Sequence, residues 1–212
     1  AENVKGLLLG EAKDYLRNIY KEFEDAGYYC QHFLLDASKM GVPQKRERVF
    51  FICLRKDLAG SFLYQKDLFT EVPKIDMDFS EKEITFGEIE DKGNFENKLS
   101  KKNTHLWQYR KEGDKDLSKA YERVYKKSAL FNYTFAYRDK ALSTLTAHIE
   151  GNVSFYEPRY ISNKEIIKAA TFPSDYNFLK CRPIYVCGMS VPPLMMYEIA
   201  SNIYNQWLSK LK

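Results

Sequence analysis

The sequence has no uninterrupted apolar run approaching the ~18 residues of a membrane-spanning helix, and its mean hydropathy is −0.51. No span is expected. The opening residues, Ala1-Glu2-Asn3-Val4-Lys5-Gly6, carry no apolar stretch behind a basic one, so no secretory leader is read there. The first residue is not Met, and the start reads as a processing or truncation boundary. Cysteine is scarce. Cys30, Cys53, Cys181 and Cys187 show no CxxC spacing, and His32, His105 and His148 form no HExxH. That argues against a zinc site, and no metal is expected. Four cysteines in a chain this long fit a reducing cytoplasm better than a disulfide scaffold. There is no internal repeat and no low-complexity tract.

What is present is a chain of 212 residues with 44% hydrophobic and 15% aromatic residues, enough for one large domain or two small ones. The formal charge of +4 conceals a polarity. Residues 66–96 carry ten acids against four bases, and residues 97–140 carry twelve bases against five acids. The basic stretch interleaves Lys101, Lys102, Arg110, Lys126 and Lys127 with Tyr109, Tyr121, Tyr125 and Tyr133. It reads either as a solvated face or as a surface for a polyanion, where cations meet phosphate and rings meet bases or sugars.

The first third reads as α/β. Ala12, Tyr15, Leu16, Ile19, Tyr20, Phe23 and Ala26 fall on one helical stripe that Gly27 stops. A buried strand is expected from Tyr28 to Leu35. A second, Val49 to Leu54, is too continuous to have one wet face. At the other end Pro192 and Pro193 open a helix with a buried stripe of Met196, Ile199, Ala200, Ile203 and Trp207. Met195 and Met196 read as core filler. Between 57 and 140 the pattern is weak, like an inserted module.

The segment Gly41-Val42-Pro43-Gln44-Lys45-Arg46-Glu47-Arg48-Val49 places cations just before a buried strand. In an extended chain Gln44, Arg46 and Arg48 share one side. Two guanidiniums there make either a clamp for a carbonyl or oxyanion, or a structural ion pair at a solvated edge.

This segment resembles the Gln-x-Arg-x-Arg motif of the C5-cytosine DNA methyltransferases. Glu2-Asn3-Val4 resembles that family's Glu-Asn-Val. Arg159 to Glu165, continuing to Thr171-Phe172-Pro173-Ser174-Asp175, resembles its Arg…Glu…Phe-Pro-x-Asp motif, and Gly188-Met189-Ser190-Val191-Pro192-Pro193 its Gly-Asn-Ser-Val-Pro-Pro. Leu142-Ser143-Thr144-Leu145-Thr146 resembles its Thr-Leu element. The matching segments lie within 1–58 and 142–212, in the family's order.

The resemblance implies an α/β fold, a partial Rossmann-like methyltransferase catalytic domain plus a smaller, mixed, strand-containing target-recognition domain. Residues 1–60 and 184–212 would belong to the first and 61–183 to the second. It implies methyl transfer from S-adenosylmethionine to C5 of a cytosine flipped out of duplex DNA, within restriction-modification. Cytosine C5 becomes nucleophilic only after a cysteine thiolate adds to C6. Glu2, held in a buried setting, would bond the N3 side of the ring and Arg48 its O2, with Gln44 and Arg46 supporting the pocket. Met189, Ser190 and Val191 would lie beside S-adenosylmethionine, Ser190 also capping the last helix. Lys101, Lys102, Arg110, Lys126, Lys127, Arg138 and Thr144 would face the DNA. Arg159 and Glu165 read as scaffold.

Two departures bear on activity. No cysteine follows a proline, the predecessors being Tyr29, Ile52, Lys180 and Val186, and the Phe-x-Gly-x-Gly cofactor loop is missing. The chain is therefore expected to be the C-terminal part of an enzyme, inactive without its N-terminal half or a partner subunit carrying it. Met189 stands where the family has Asn, which reads as a tolerated variant or as an impaired enzyme. A DNA-binding specificity subunit without its own catalysis is a second reading. A tRNA-methylating relative is a third, which the long charged middle disfavours.

Overall fold

A computed structural model describes residues 1–61, 73–147 and 151–211. Part of the acidic block, 66–72, lies outside them. The chain divides into two compact units: Ala1–Asp36, Glu47–Phe79 and Tyr197–Lys212 form one, Ala37–Arg46 and Ser80–Met196 the other. This division differs from the boundaries drawn on the sequence. The segment 37–46 joins the second unit, as do residues 184–196, and the chain up to Phe79 stays with the first.

In the first unit a short strand β1 (Glu2–Val4) precedes helix α1 (Lys13–Asp25) and strands β2 (Tyr28–Asp36) and β3 (Glu47–Arg55). The sheet order is β1-β3-β2, and both neighbours run antiparallel to β3. Ten residues separate Asp36 from Glu47, fewer than the dozen or more that a parallel crossover requires. As the middle strand β3 is wetted on neither face: Val49, Phe50, Phe51, Ile52 and Leu54 are all buried. β2, at an edge, buries only Leu35 and is otherwise mostly half-buried, less than its composition promised.

Helix α1 ends where the sequence placed its stop. Gly27 adopts φ +83°, a left-handed turn that lets its amide reach the Glu24 carbonyl at 3.0 Å. Phe23 and Tyr20 rest on Phe51 of β3, with ring centroids 6.5 and 6.4 Å apart. Yet no α1 residue is fully buried, and Tyr15 is 68% exposed. The apolar stripe is only half covered.

The second unit holds helices α2 (Phe86–Ile89), α3 (Lys101–Trp107) and α4 (Ser118–Tyr125), and a parallel strand pair, β4 (Thr134–Ala136) with β5 (Asn152–Ser154). Helices α5 (Asn163–Ala169) and α6 (Pro183–Met189) follow. One core gathers Leu106, Leu117, Phe135 and Val153. The other gathers Phe86, Leu142, Leu145, Ile161, Ile166 and Ile184.

The last helix, α7 (Pro193–Gln206), crosses from the second unit's residues into the first's between Met196 and Tyr197. Its buried positions are Met195 and Ile199, with Trp207 beyond its end; Met196 is 41% exposed and Ala200 is exposed. Adjacent helical residues point about 100° apart, so only one of the two methionines can face inward. Trp207 continues the same stripe, eight residues after Ile199: its amide donates to the Ile203 carbonyl at 2.9 Å and its indole to the Lys74 carbonyl at 3.3 Å.

Between β5 and α5 a buried ion pair fixes the chain. The Arg159 guanidinium donates to both Glu165 oxygens at 2.8 and 2.9 Å and to Glu157 at 2.6 Å. Glu165 also accepts the amides of Asp91 and Ser162, closing a capping box at the start of α5. Burial works against the guanidinium charge, but these carboxylates hold its pKa above the ordinary range. The expectation that Arg159 and Glu165 are scaffold agrees with this geometry. Arg159→Met should lower unfolding free energy in urea by about 3–5 kcal/mol, because it strands two carboxylates in the interior. A change below ~1 kcal/mol would show that the pair adds nothing.

Candidate functional site

In the β1–β3 ladder Glu2 lies opposite Phe50, and Arg48 lies opposite Val4. Glu2 and Arg48 are thus diagonal neighbours on one face, within reach of long side chains. Arg48 Nε lies 3.0 Å from Glu2 Oε1. Arg48 Nη1 donates to the Glu47 carbonyl at 2.8 Å, which aims the guanidinium along the strand. The start of β1 is not frayed: the Phe51 amide donates to the Ala1 carbonyl at 2.8 Å. Glu47, on the opposite face, pairs with Lys5 at 2.8 Å.

One expectation changes here. The acid was expected in a buried setting, but 34% of the Glu2 side chain is exposed, against 16% for Arg48. The two side chains also touch each other directly. A ring would meet them as a joined pair along one edge, because 3.0 Å leaves no room between them.

Gln44 and Arg46 do different work. Both are fully buried within the second unit. Arg46 donates to the carbonyls of Leu145 and Gly188, each at 3.0 Å. Gln44 accepts the Leu145 amide at 2.9 Å and donates to the Ala169 carbonyl at 3.3 Å. Lys45, between them, points outward to Glu83. The two guanidiniums of the motif therefore have different partners, Arg46 the carbonyls of Leu145 and Gly188 and Arg48 the Glu2 carboxylate. Gln44 and Arg46 tie main chain together, and only Arg48 of the three has a carboxylate partner in the β1–β3 ladder. The Thr144 hydroxyl, expected at the DNA, donates to the Lys45 carbonyl at 2.7 Å and belongs to the same knot.

Gly188 is part of that knot. A Cβ there would stand 2.5 Å from the Ala147 nitrogen and the Thr146 carbonyl carbon, so α6 can approach this segment only without a side chain. Met189 next to it is 65% exposed. The Ser190 hydroxyl donates to the Val186 carbonyl at 2.7 Å, which closes α6 and not, as expected, the start of α7. Val191 is half-buried.

Four of the seven residues assigned to DNA stand in solvent: Lys101 and Lys102 at the start of α3, Lys126 and Lys127 at the end of α4. The helices pack on each other. Lys102 Nζ lies 5.5 Å above the Tyr121 ring, which tilts against Tyr125 at 4.7 Å. Of the four lysines, Lys102 is the one that lies over an aromatic ring. Sequence pattern did not single out Leu130, 97% exposed three residues beyond Lys127, because the pattern between 57 and 140 is weak.

The remaining two are engaged internally. The Arg110 guanidinium stacks 3.2 Å over Trp107 and donates to the Phe155 and Trp107 carbonyls. Burial pushes its pKa down. Arg138 forks onto Glu90 at 2.6 and 2.9 Å and covers Tyr156. A second feature the sequence did not announce is an apolar groove of about 710 Å³ in the first unit, lined by Asn3, Leu7, Tyr15, Ile19, Phe23 and Tyr28 among others. Among the described residues no group of three or more His, Cys, Asp or Glu could hold a metal, and no helix is long and apolar enough to cross a membrane.

Compared with known proteins, the chain matches the C-5 cytosine-specific DNA methylase family over residues 1–205. It is 29% identical over 219 residues to the type II methyltransferase M.NgoFVII of Neisseria gonorrhoeae, covering 96% of this chain and 57% of that protein. It is 52% identical over 58 residues to M.FnuDI of Fusobacterium nucleatum, covering 27% of this chain and 17% of that protein. The chain therefore spans little more than half the length of the first relative and a smaller part of the second. Its backbone is similar to that of a prophage-encoded E. coli protein assigned to the DNA modification methyltransferases, with a TM-score of 0.61 at 20% identity, covering 99% of this chain and 69% of that one. That likeness gives it an α/β methyltransferase fold.

Gly188→Ala should shift the urea midpoint by about 1–3 kcal/mol of stability, because backbone atoms must move. Gly60, where an added Cβ would meet nothing within 4 Å, is the control. Its alanine variant should stay within about 0.5 kcal/mol. Equal effects would show that the α6 approach is loose.

Proposed function

The chain belongs to the C5-cytosine-specific DNA methylase family, and from that premise we propose that it is the base-holding and DNA-holding part of a DNA (cytosine-5-)-methyltransferase. It acts in the cytoplasm, on a cytosine flipped from duplex DNA, together with a segment or partner chain that carries the thiolate and the donor-binding loop. The observation that carries this reading is the 3.0 Å pairing of Glu2 with Arg48 on adjacent strands. A carboxyl oxygen and a guanidinium side by side match the N3 and O2 positions along one edge of cytosine. There Glu2 would supply or share the N3 proton while Arg48 bonds O2 and spreads the charge that builds up on the ring during attack at C6.

The methyl donor of this family is S-adenosylmethionine. The residues of this chain assigned to it form no cradle by themselves. Met189 projects into solvent, and Ser190 turns its hydroxyl to Val186. We assign no step to them, and we place the donor loop on the complementary segment. The open groove beside α1 and the half-covered α1 stripe are consistent with such a segment covering them.

For the duplex we assign Lys101, Lys102, Lys126 and Lys127, which among the described residues stand exposed with no carboxylate partner to compete with phosphate. Arg110 and Arg138 are positioning residues for that face, and Thr144 for the knot around Lys45. Replacing all four lysines by alanine should flatten the plot of log affinity for duplex DNA against log salt by about 3–4, close to one per phosphate contact. An unchanged slope would remove this face from the DNA.

The reading is tested by mixing the chain with a second polypeptide carrying the Pro-Cys dipeptide and the Phe-x-Gly-x-Gly loop, duplex DNA and tritiated S-adenosylmethionine. We expect methylation of cytosine only in the mixture, with Glu2→Gln and Arg48→Leu each lowering the rate by about 10²–10⁴. The carboxylate side of the pair is about a third exposed and so screened by solvent, which keeps the pair's worth to stability at about 1 kcal/mol, and both variants should remain folded. Turnover by the chain alone, or variants as fast as the parent, would contradict the reading.

A further inference from the structure

Two thiols outside the site described above face each other across the β2–β3 ladder. Cys30 is paired directly with Cys53, and their sulfurs lie 3.1 Å apart. Neither is bonded to another cysteine. Directly opposed residues of antiparallel strands have Cα atoms about 4.5–5.5 Å apart, inside the window of about 4.4–6.8 Å that a disulfide spans. A bond between them needs no strand movement. The other two cysteines have no such arrangement: Cys181 is exposed and Cys187 is buried among the apolar side chains of the second unit.

We propose that Cys30 and Cys53 are an oxidation site that closes to an intramolecular disulfide by exchange with a small-molecule disulfide. The thiolate of one cysteine attacks a sulfur of the small disulfide, forming a mixed disulfide and expelling one thiolate. The second cysteine, as thiolate, attacks the protein sulfur of that mixed disulfide and expels the other. Two thiols lose two electrons and two protons, and the small disulfide gains both as two thiols.

Both thiols are half-buried on the face beneath α1, where His32, two residues along β2, shares their side and bonds the Tyr20 hydroxyl at 2.6 Å. Burial and the contact with Cys53 push the Cys30 thiol up to about 12. That leaves Cys30 little thiolate at neutral pH, so attack by its sulfur is slow there. The consequence falls on the strand that carries Arg48. Cys53 stands five residues beyond it on β3, about 16 Å along the strand and on the opposite face, so the link fastens that strand to β2 at the end of the ladder away from the paired site.

The test uses the full chain with Cys181→Ser, which removes the exposed thiol, incubated with oxidised glutathione under native conditions. Intact mass should fall by two hydrogens, one linked peptide should contain Cys30 and Cys53, and dithiothreitol should reverse both changes. Cys30→Ser should leave a glutathione adduct on Cys53 and no link, and Cys53→Ala should likewise abolish the link. A native circular dichroism spectrum with both thiols still reduced, or with separate adducts on Cys30 and Cys53 in the parent, would overturn the proposal.

Discussion

The hydrogen-bond ladder of β3 is the constraint on which the rest depends. It is buried on both faces by Val49, Phe50, Phe51, Ile52 and Leu54, and it is held on one side by β1 and on the other by β2. Burying each such side chain is worth about 1.5–3 kcal/mol, far more than the ion pair that it carries. The ladder therefore positions Arg48 and Glu2, and their mutual attraction adds little to stability. This order of magnitudes suits a base-holding site. A charge pair that stabilised the fold would resist trading its contacts for those of a substrate.

The segment just before β3 applies the same logic in the opposite direction. Gln44 and Arg46 give their polar atoms to main-chain groups of Leu145, Ala169 and Gly188. Within one short motif, two side chains bind main chain of the second unit and the next alternate residue pairs with Glu2 across the β1–β3 ladder. Gly188 completes the arrangement by lacking a Cβ where Thr146 and Ala147 pass. The motif, in which Gln44 and Arg46 were expected to support the pocket, spends those two side chains on main-chain bonds of the second unit.

Much of this was legible in the sequence, and what was not has physical causes. The α1 stripe and its glycine stop, the doubly buried β3, and the motifs of the family are local patterns, and local patterns persist. The division of the chain was not legible, because it is set by bonds such as Arg46 to Gly188, 142 residues apart. The internal partners of Arg110 and Arg138 were not legible, because a guanidinium stacks on a ring or forks onto a carboxylate as readily as it meets a phosphate. Composition does not show Trp107 under the first or Glu90 beside the second. The exchange of Met195 for Met196 in the buried stripe follows from a single step of helical rotation.

The central claim is that Glu2 and Arg48 grip one edge of one base as a unit. A double-mutant cycle on cytosine methylation by the reconstituted enzyme tests it most directly, with Glu2→Gln, Arg48→Leu and both together. If they act as a unit, the double variant should be hardly slower than the worse single one, because removing either already breaks the grip. Rate losses that multiply in full would mean two independent roles, and would contradict the account.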